Sequence, residues 1–147
     1  MTEELEMTVF RPGRPGVRMV LGDREAEVME LIWARPVEQG TLVRDVFEIL
    51  YAQQKTAYTT VMSTMARLVK KKLLRAKKQD QAYVYYPLST KEEFVSGFVG
   101  CILDNLFINF SGVTLTYFKT RLDPQAPEHA SQLLEEIIRR RALEEER

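Results

Sequence analysis

Along residues 21–86 the spacing of apolar residues changes from the period of a helix to that of a strand. Three segments with helical spacing come first, and the second of them carries Val43, Val46, Phe47 and Leu50 on one face. Apolar and polar residues then alternate over residues 74–78 and 82–86, on either side of a polar turn, which predicts a β-hairpin. Three short helices followed by a hairpin predict a winged helix-turn-helix, with the third helix as the recognition helix and the hairpin as the wing.

Local signals predict the ends of these helices. Gly22 stands at the N-cap of the first helix, Glu25 follows three residues later, and Pro36 ends the helix. Thr41 is the predicted N-cap of the second helix. The third helix is predicted over residues 57–72, with an apolar stripe of Val61, Met65 and Leu68.

Basic residues are concentrated on the third helix and the wing. Residues 55–86 hold eight Lys or Arg and a single acid, Asp80, although the formal charge of the whole chain is zero. The rest of the chain therefore carries an excess of acid. Such a concentration is typical of a surface that contacts phosphate, because neutralised phosphates release counterions and supply non-specific affinity.

The start of the third helix, residues 56–60, is rich in hydroxyl groups. A helix that enters the major groove leads with this turn, because short side chains allow it to approach base edges while later cations reach the backbone. The alternative to a recognition helix is an ordinary surface helix, with threonines that cap it and lysines that are only solvated. The basic hairpin that follows makes this alternative less favoured. Tyr83, Tyr85 and Tyr86 are expected to pack the wing onto the helices more often than to contact DNA. The predicted DNA-binding residues are Ala57, Tyr58, Thr59, Thr60, Met62, Ser63, Arg67, Lys70, Lys71, Lys77 and Lys78.

The last third of the chain is predicted to be helical and to pair with a second copy. Thr90 and Glu93 form a capping box for a helix that is apolar nearly all round, and Ser111-Gly112 breaks this helix. A last amphipathic helix follows the connector around Pro127. A segment of this size cannot bury so much apolar surface alone. The predicted dimerisation residues are Phe94, Phe98, Ile102, Leu106, Phe107, Leu115, Phe118, Leu134, Ile137 and Ile138.

The sequence offers little support for an enzyme. The only histidine, His129, lies in a polar connector, and no glycine-rich phosphate loop, paired-carboxylate motif or HExxH spacing is present. The only cysteine, Cys101, excludes an internal disulfide framework and a cysteine-cluster metal site, and it is expected to be a small core residue. We therefore predict a non-enzymatic protein without a cofactor or metal.

A soluble, cytoplasmic protein is expected. Residues 1–19 contain Pro12, Pro15 and two glycines and predict a flexible tail, with an arginine arm in a minor groove as the alternative. Acidic residues stand where a signal peptide would carry positive charge. The most hydrophobic run, residues 94–110, contains Asp104, Asn105 and Asn109 and is a poor membrane span. A single cysteine fits a reducing compartment.

Three motifs together resemble the penicillinase-repressor group of transcription factors (BlaI, MecI and CopY). They are Leu21-Gly22-x-x-Glu25-x-x-Val28-Met29-x-x-Ile32-Trp33, Ala57-Tyr58-Thr59-Thr60-Val61-Met62-x-x-Met65-x-Arg67-Leu68 and Ala82-Tyr83-x-Tyr85. The resemblance covers residues 20–121 in order. It implies homodimeric repressors that bind short inverted repeats of the TACA/TGTA type and dimerise through C-terminal helices. In antibiotic-responsive members it also implies inactivation by cleavage downstream of a membrane sensor-protease.

The chain departs from this family pattern at two places. Copper-responsive members carry a cysteine-rich C-terminal metal motif, which a chain with one cysteine lacks. Many members have glycine or asparagine where the recognition helix ends, and Lys72 stands there in this chain. A left-handed backbone at Lys72 would cost about 1 kcal/mol relative to glycine. An Asn109-Phe110 pair is present, and a single sequence does not show that any protease recognises it.

We therefore predict a mainly α protein with a small β-hairpin. Its expected parts are a flexible tail at residues 1–19, a winged helix-turn-helix DNA-binding domain at 20–88 and a helical dimerisation region at 89–147. The expected partners are a double-stranded DNA operator, a second copy and, in an inducible system, a sensor-protease, without membrane insertion. Two alternatives stay open: a winged helix used only for protein–protein contact, and a ligand-sensing regulator with a small-molecule site in the aromatic C-terminal region.

Overall fold

Three helices and a hairpin form the N-terminal part of the fold. A computed structural model describes residues 9–121 and 126–146, with only part of the side chains in the second range. Helices α1 (Asp23–Trp33), α2 (Val43–Gln54) and α3 (Tyr58–Lys70) precede strands β1 (Leu74–Gln79) and β2 (Ala82–Pro87). The strands pair antiparallel, with Leu74 opposite Pro87 and Gln79 opposite Ala82. The predicted winged helix-turn-helix is confirmed.

The apolar stripes of the three helices form the core. As predicted, Val61, Met65 and Leu68 of α3 are completely buried. The other large, fully buried apolar side chains are Val28, Met29, Ile32, Val46, Leu50 and Leu74. A fully buried side chain of this kind contributes about 1.5–3 kcal/mol. The core therefore holds one face of α3 and leaves the opposite face outside.

The first helix begins as predicted, but the second does not. The N–H of Gly22 donates to Oε1 of Glu25 at 3.1 Å, which ties the N-cap to the first turn of α1. The N-cap of α2 is Leu42, whose N–H donates to Oδ2 of Asp45 at 2.9 Å. Thr41 instead exchanges two backbone hydrogen bonds of 2.9 Å with Tyr85, which form an isolated β-bridge to the wing. The prediction of Thr41 as the N-cap is wrong because pairing with the wing overrides the capping preference of threonine.

Lys72, directly after the C-cap of α3, has the left-handed backbone conformation considered from the sequence. Its φ is +64°. The N–H of Lys72 donates to the carbonyl of Val69 at 3.0 Å, and that of Leu73 donates to the carbonyl of Leu68 at 2.9 Å. These two bonds, together with the burial of Leu68 and Leu73, form a Schellman motif. The motif turns the chain sharply from the recognition helix into the wing.

Part of the predicted flexible tail makes contacts with α1. Residues Gly16–Met19 form a 3-10 turn in which Val17 is buried. The Arg14 guanidinium forms an ion pair with Asp23, and Arg18 Nε lies 3.2 Å from the same carboxylate. The prolines and glycines of residues 1–19 predicted a flexible tail and gave no indication of these contacts. Residues 1–8, the rest of the predicted tail, lie outside the described residues.

Contacts between residues divide the chain into two units, with the boundary after Cys101. Helix α4 (Lys91–Asn109) crosses this boundary and is followed by α5 (Ser111–Arg121) and α6 (Ala126–Glu145). The predicted capping box of α4 is confirmed, because the N–H of Glu93 donates to Thr90 Oγ1 at 3.1 Å and that of Thr90 donates to Glu93 Oε1 at 3.5 Å. The break between α4 and α5 lies at Phe110, one residue before the predicted position.

Pro127, predicted to lie in a connector, belongs to the first turn of α6, where proline is tolerated. Within the described residues no single helix is long and apolar enough to cross a membrane, and α4 and α5 reach that length and composition only together, as a bent pair.

Candidate nucleic-acid interface

One face of α3 is exposed along the whole helix, and we call it the outer face of α3. The core holds the opposite face through the buried residues Val61, Thr64, Met65 and Leu68. Side chains of the outer face are those predicted from the sequence to contact DNA: Ala57 at the N-cap, then Tyr58, Thr59, Thr60, Met62, Ser63, Arg67 and Lys70. Their exposure follows from the helical period, since the apolar stripe can bury only one side.

The N-terminus of α3 is open to an external acceptor. Its N-cap residue, Ala57, has no side-chain group that could accept a hydrogen bond from the first turn. The first N–H groups of a helix have no partner within the helix and carry the positive end of its dipole. Thr56, which the sequence grouped with this hydroxyl-rich turn, is buried and lies behind the surface. An anion or a base edge therefore meets exposed backbone and short side chains at this end.

The outer face of α3 also carries apolar groups. Tyr58 and Met62, four residues apart, are both exposed large side chains. The ring of Tyr58 contacts that of Phe47 edge-on, with centroids 5.3 Å apart. Ser63 donates its hydroxyl hydrogen to the carbonyl of Thr60 at 3.1 Å, which leaves the hydroxyl oxygen free to accept. The surface thus combines groups that suit a thymine methyl with hydrogen-bonding groups that suit other base edges.

The wing adds two exposed cations beside its turn. Lys77 and Lys78 stand opposite Val84 and Tyr83 in the hairpin, and both lysines are exposed. The turn contains Asp80, whose φ of +57° suits a tight connection. Because the Schellman motif joins the wing directly to α3, the two lysines belong to the same unit as the outer face of α3.

The wing tyrosines behave differently from one another. Tyr85 is 8% exposed and packs into the fold, whereas Tyr83 is 54% exposed. Burial raises the pKa of the Tyr85 hydroxyl above its ordinary value, and the nearby hydroxyls of Tyr83 and Tyr58 raise this pKa further. The expectation that these tyrosines pack onto the helices is confirmed for Tyr85, and Tyr83 stays available to a partner.

Among the predicted DNA-binding residues, Lys71 is the one whose side chain is largely covered by the fold. Its Nζ lies 2.8 Å from Oε2 of Glu25 and donates to Oε1 at 3.0 Å. The Glu25 carboxylate is itself buried. The other ten predicted residues lie on the outer face of α3 or on the wing, so Lys71 is the position at which the structure supplies a different partner.

Lys55 and Arg75 are further exposed cations of this region that were not among the predicted site residues. Lys55 lies directly before α3 in a left-handed backbone conformation, and its Nζ is 5.3 Å from the Tyr51 ring centroid. The Arg75 guanidinium lies 4.5 Å from the Tyr86 ring centroid on the wing. Both belong to the basic segment of the sequence, so the charge count could have indicated them. In the described part of the chain, no group of three or more His, Cys, Asp or Glu could hold a metal ion.

Two of the predicted dimerisation residues are already buried within one chain. Phe94 and Phe98 are each 4% exposed, with ring centroids 5.5 Å apart. Phe94 also contacts Trp33, whose indole N–H donates to the carbonyl of Ser89 at 3.1 Å. Phe94 and Phe98 are therefore buried by contacts within one chain, and their burial requires no second copy.

The other predicted dimerisation residues lie in the C-terminal unit. Phe107 and Phe118 stack within this unit, with centroids 5.6 Å apart. Ile102 and Phe118 are half-buried, and the side chain of Leu134 lies outside the described residues. The remaining ones are exposed: Leu106, Phe107, Leu115, Ile137 and Ile138. Further exposed apolar residues of this unit, not among the predicted dimerisation residues, include Ile108, Phe110, Val113 and Tyr117.

Comparison with known proteins identifies the family of the chain. The family model of the penicillinase repressor matches residues 21–140. Two relatives, each named Transcriptional regulator BlaI, come from Mycobacterium tuberculosis strains CDC 1551 / Oshkosh and ATCC 25618 / H37Rv. Each is 43% identical over 77 residues, which are 52% of this chain and 54% of the relative. The chain thus spans about half the length of these relatives. Since the family model matches most of the chain, the protein belongs to the penicillinase repressor family.

Proposed function

We propose that this protein is a transcriptional repressor that binds double-stranded DNA as a homodimer on a short inverted-repeat operator. The observation that carries the proposal is the outer face of α3: its opposite face is locked in the core, its N-terminus has no side-chain cap, and its exposed residues are hydroxyl, apolar and basic. Family membership and the names of the two relatives agree with this role.

In the proposed complex α3 lies in the major groove with its N-terminal turn leading. Thr59, Met62 and Ser63 contact base edges, because their side chains are short or flexible and stand on the first two turns. Arg67 and Lys70 follow near the C-terminal end of the helix and contact the backbone. Lys77 and Lys78 of the wing contact a neighbouring stretch of backbone.

Exposed apolar side chains of the C-terminal unit support dimerisation. Those on α4 and α5 include Leu106, Ile108 and Val113, and Phe110 lies between the two helices; all four are exposed in a single chain. Partner burial would remove this surface from water, at roughly 25 cal/mol per Å² of apolar area. Two recognition helices held on a two-fold axis then read half-sites about one helical turn apart.

Salt dependence tests the backbone contacts. Lys70→Ala or Lys77→Ala should each lower the slope of log K against log salt by about one, because each substitution removes about one released counterion. The matched control is Lys119→Ala, an exposed lysine of the C-terminal unit that should leave the slope unchanged. Equal slopes for all four proteins would contradict DNA binding through α3 and the wing.

Operator preference tests the base contacts. Thr59→Ala or Ser63→Ala should change the preference among operator variants by about 1–3 kcal/mol at the base pair that is contacted. Titration of purified protein with a set of single-base operator variants measures this change. A uniform loss of affinity across the set would assign these two residues to the backbone.

Sedimentation tests the dimer. Leu106→Asp places a charge on the exposed apolar surface and should give a monomer that no longer prefers an intact inverted repeat over a single half-site. Ser96→Asp, an exposed polar position on the same helix, is the control and should stay dimeric. A wild-type monomer that still discriminates the inverted repeat would overturn the dimeric mechanism.

A further inference from the structure

A buried carboxylate joins the start of α1 to the end of the recognition helix. Glu25 is 6% exposed and accepts the N–H of Gly22 at 3.1 Å through Oε1. Nζ of Lys71 lies 2.8 Å from Oε2 and 3.0 Å from Oε1 of the same carboxylate. Lys71 is the C-cap residue of α3. The ion pair therefore ties the first turn of α1 to the C-cap of α3.

Electrostatics favour this arrangement at both ends. The carboxylate sits at the N-terminus of α1 and the ammonium at the C-terminus of α3, and each charge opposes the helix dipole that it faces. Removing Lys71 would leave the buried Glu25 carboxylate without its ion-pair partner. In some proteins such a buried pair selects one packing arrangement more than it adds stability. The pair is thus suited to hold the orientation of α3 against α1.

Lys70 provides a comparison within the same helix turn. Its side chain is exposed on the outer face of α3, whereas the side chain of Lys71 is partly covered and directed to Glu25. Both residues are lysines at the end of one helix, so the sequence assigns them the same role. Their surroundings assign them different ones.

We propose that Glu25 and Lys71 are positioning residues that fix the orientation of the recognition helix, and that Lys71 is not a phosphate contact. The inference rests on the proposed DNA binding. It predicts that loss of the pair changes which base edges α3 can reach. It also predicts that the number of counterions released on binding stays the same.

The test compares Lys71→Met with Lys70→Met in the full chain, on an operator selected by the wild-type protein and on a scrambled duplex of equal length. Lys71→Met should lower the ratio of operator affinity to scrambled affinity by about fivefold or more, which corresponds to one lost base contact. Its salt slope should equal that of the wild type. Lys70→Met should leave the ratio unchanged and lower the slope by about one.

Two further variants separate positioning from general damage. Lys71→Arg keeps a cation opposite Glu25 and should restore the wild-type ratio. Glu25→Gln with Lys71→Met removes both charges, so neither is left buried alone, and should fold while keeping the lowered ratio and the wild-type slope. Binding is measured well below each variant's melting temperature, so that unfolding does not contribute.

A slope lowered by about one in Lys71→Met would identify a phosphate contact and overturn the inference. An unchanged ratio with an unchanged slope in both charge-removing proteins would overturn it too, because the pair would then be purely structural. Failure of the proposed function is distinct from both results: the wild-type protein would then bind neither duplex in a salt-dependent manner.

Discussion

The substitution Gly40→Ala should destabilise the packing of the wing against the helices, because it adds one methyl group between them. Gly40 precedes Thr41, whose backbone pairs with the wing. A Cβ at residue 40 would overlap the Cγ1 methyl of Val84 and lie 2.9 Å from the Cζ and Oη atoms of Tyr86. The φ of Gly40 does not lie in the left-handed region, so the effect of Gly40→Ala comes from the overlap and not from backbone strain.

The magnitude follows from what must move. Val84 belongs to β2, where it stands opposite Lys77, and its branched side chain is short, so relieving the overlap requires a shift of the side chain or of the strand. The Tyr86 ring contacts the Arg75 guanidinium at 4.5 Å, and moving the ring would disturb this contact. Inserting a methyl group into packed surroundings of this kind costs about 1–3 kcal/mol. Each kcal/mol lowers the melting temperature of a domain of this size by about 4–8 °C.

Thermal unfolding of Gly40→Ala and wild type is compared at one protein concentration, because the proposed dimerisation would make the melting temperature depend on concentration. Gly100→Ala is the matched control: a Cβ there has no neighbour within 4 Å, and alanine is favoured over glycine within a helix by about 0.5–1 kcal/mol. The two substitutions should therefore shift the melting temperature in opposite directions. A melting temperature of Gly40→Ala at or above that of the wild type would refute the reasoning, since it would show that the wing relaxes without loss.

Two further predictions concern the backbone and ionisation. Lys72→Gly should raise the unfolding free energy by about 1 kcal/mol in urea titration, because glycine adopts the left-handed conformation with φ of +64° without steric strain; a lower stability would mean that contacts of the Lys72 side chain outweigh this strain. Burial raises the pKa of Tyr85 above 10.0, so the folded protein retains this proton more tightly than the unfolded chain does, and the unfolding free energy should be unaffected below pH 10 and fall above it. Tyr85→Phe should make this fall shallower in a pH series of denaturation curves, and identical pH slopes would contradict the assignment.

Local signals in the sequence determined the order of the elements. The burial of Val61, Met65 and Leu68 follows from their helical spacing, because any partner must cover the same stripe. The capping box of Thr90 and Glu93 likewise depends on residues three apart, and it is present as predicted. Such interactions join residues within one or two helical turns, so the local sequence is sufficient to predict them.

The candidate site could be predicted in outline for the same reason. Once the buried stripe of α3 is known, the remaining residues must lie on its outer face, and the concentration of cations points to phosphate. The sequence could not separate Lys70 from Lys71, because both are cations at the end of the same helix. Only the packing of α1 beside α3 brings Glu25 to Lys71 and gives the second lysine a partner within the fold.

The tertiary structure alone decided the pairings between residues distant in sequence. Thr41 has the side chain of an N-cap, and its backbone pairs with Tyr85 because the wing folds back over the loop between α1 and α2. Phe94 and Phe98 have the pattern of an exposed apolar face, and they are buried because α4 begins beside Trp33. The spacing of apolar residues predicts that a side chain will be buried. Which residues bury it depends on which helices and strands pack together in the folded protein.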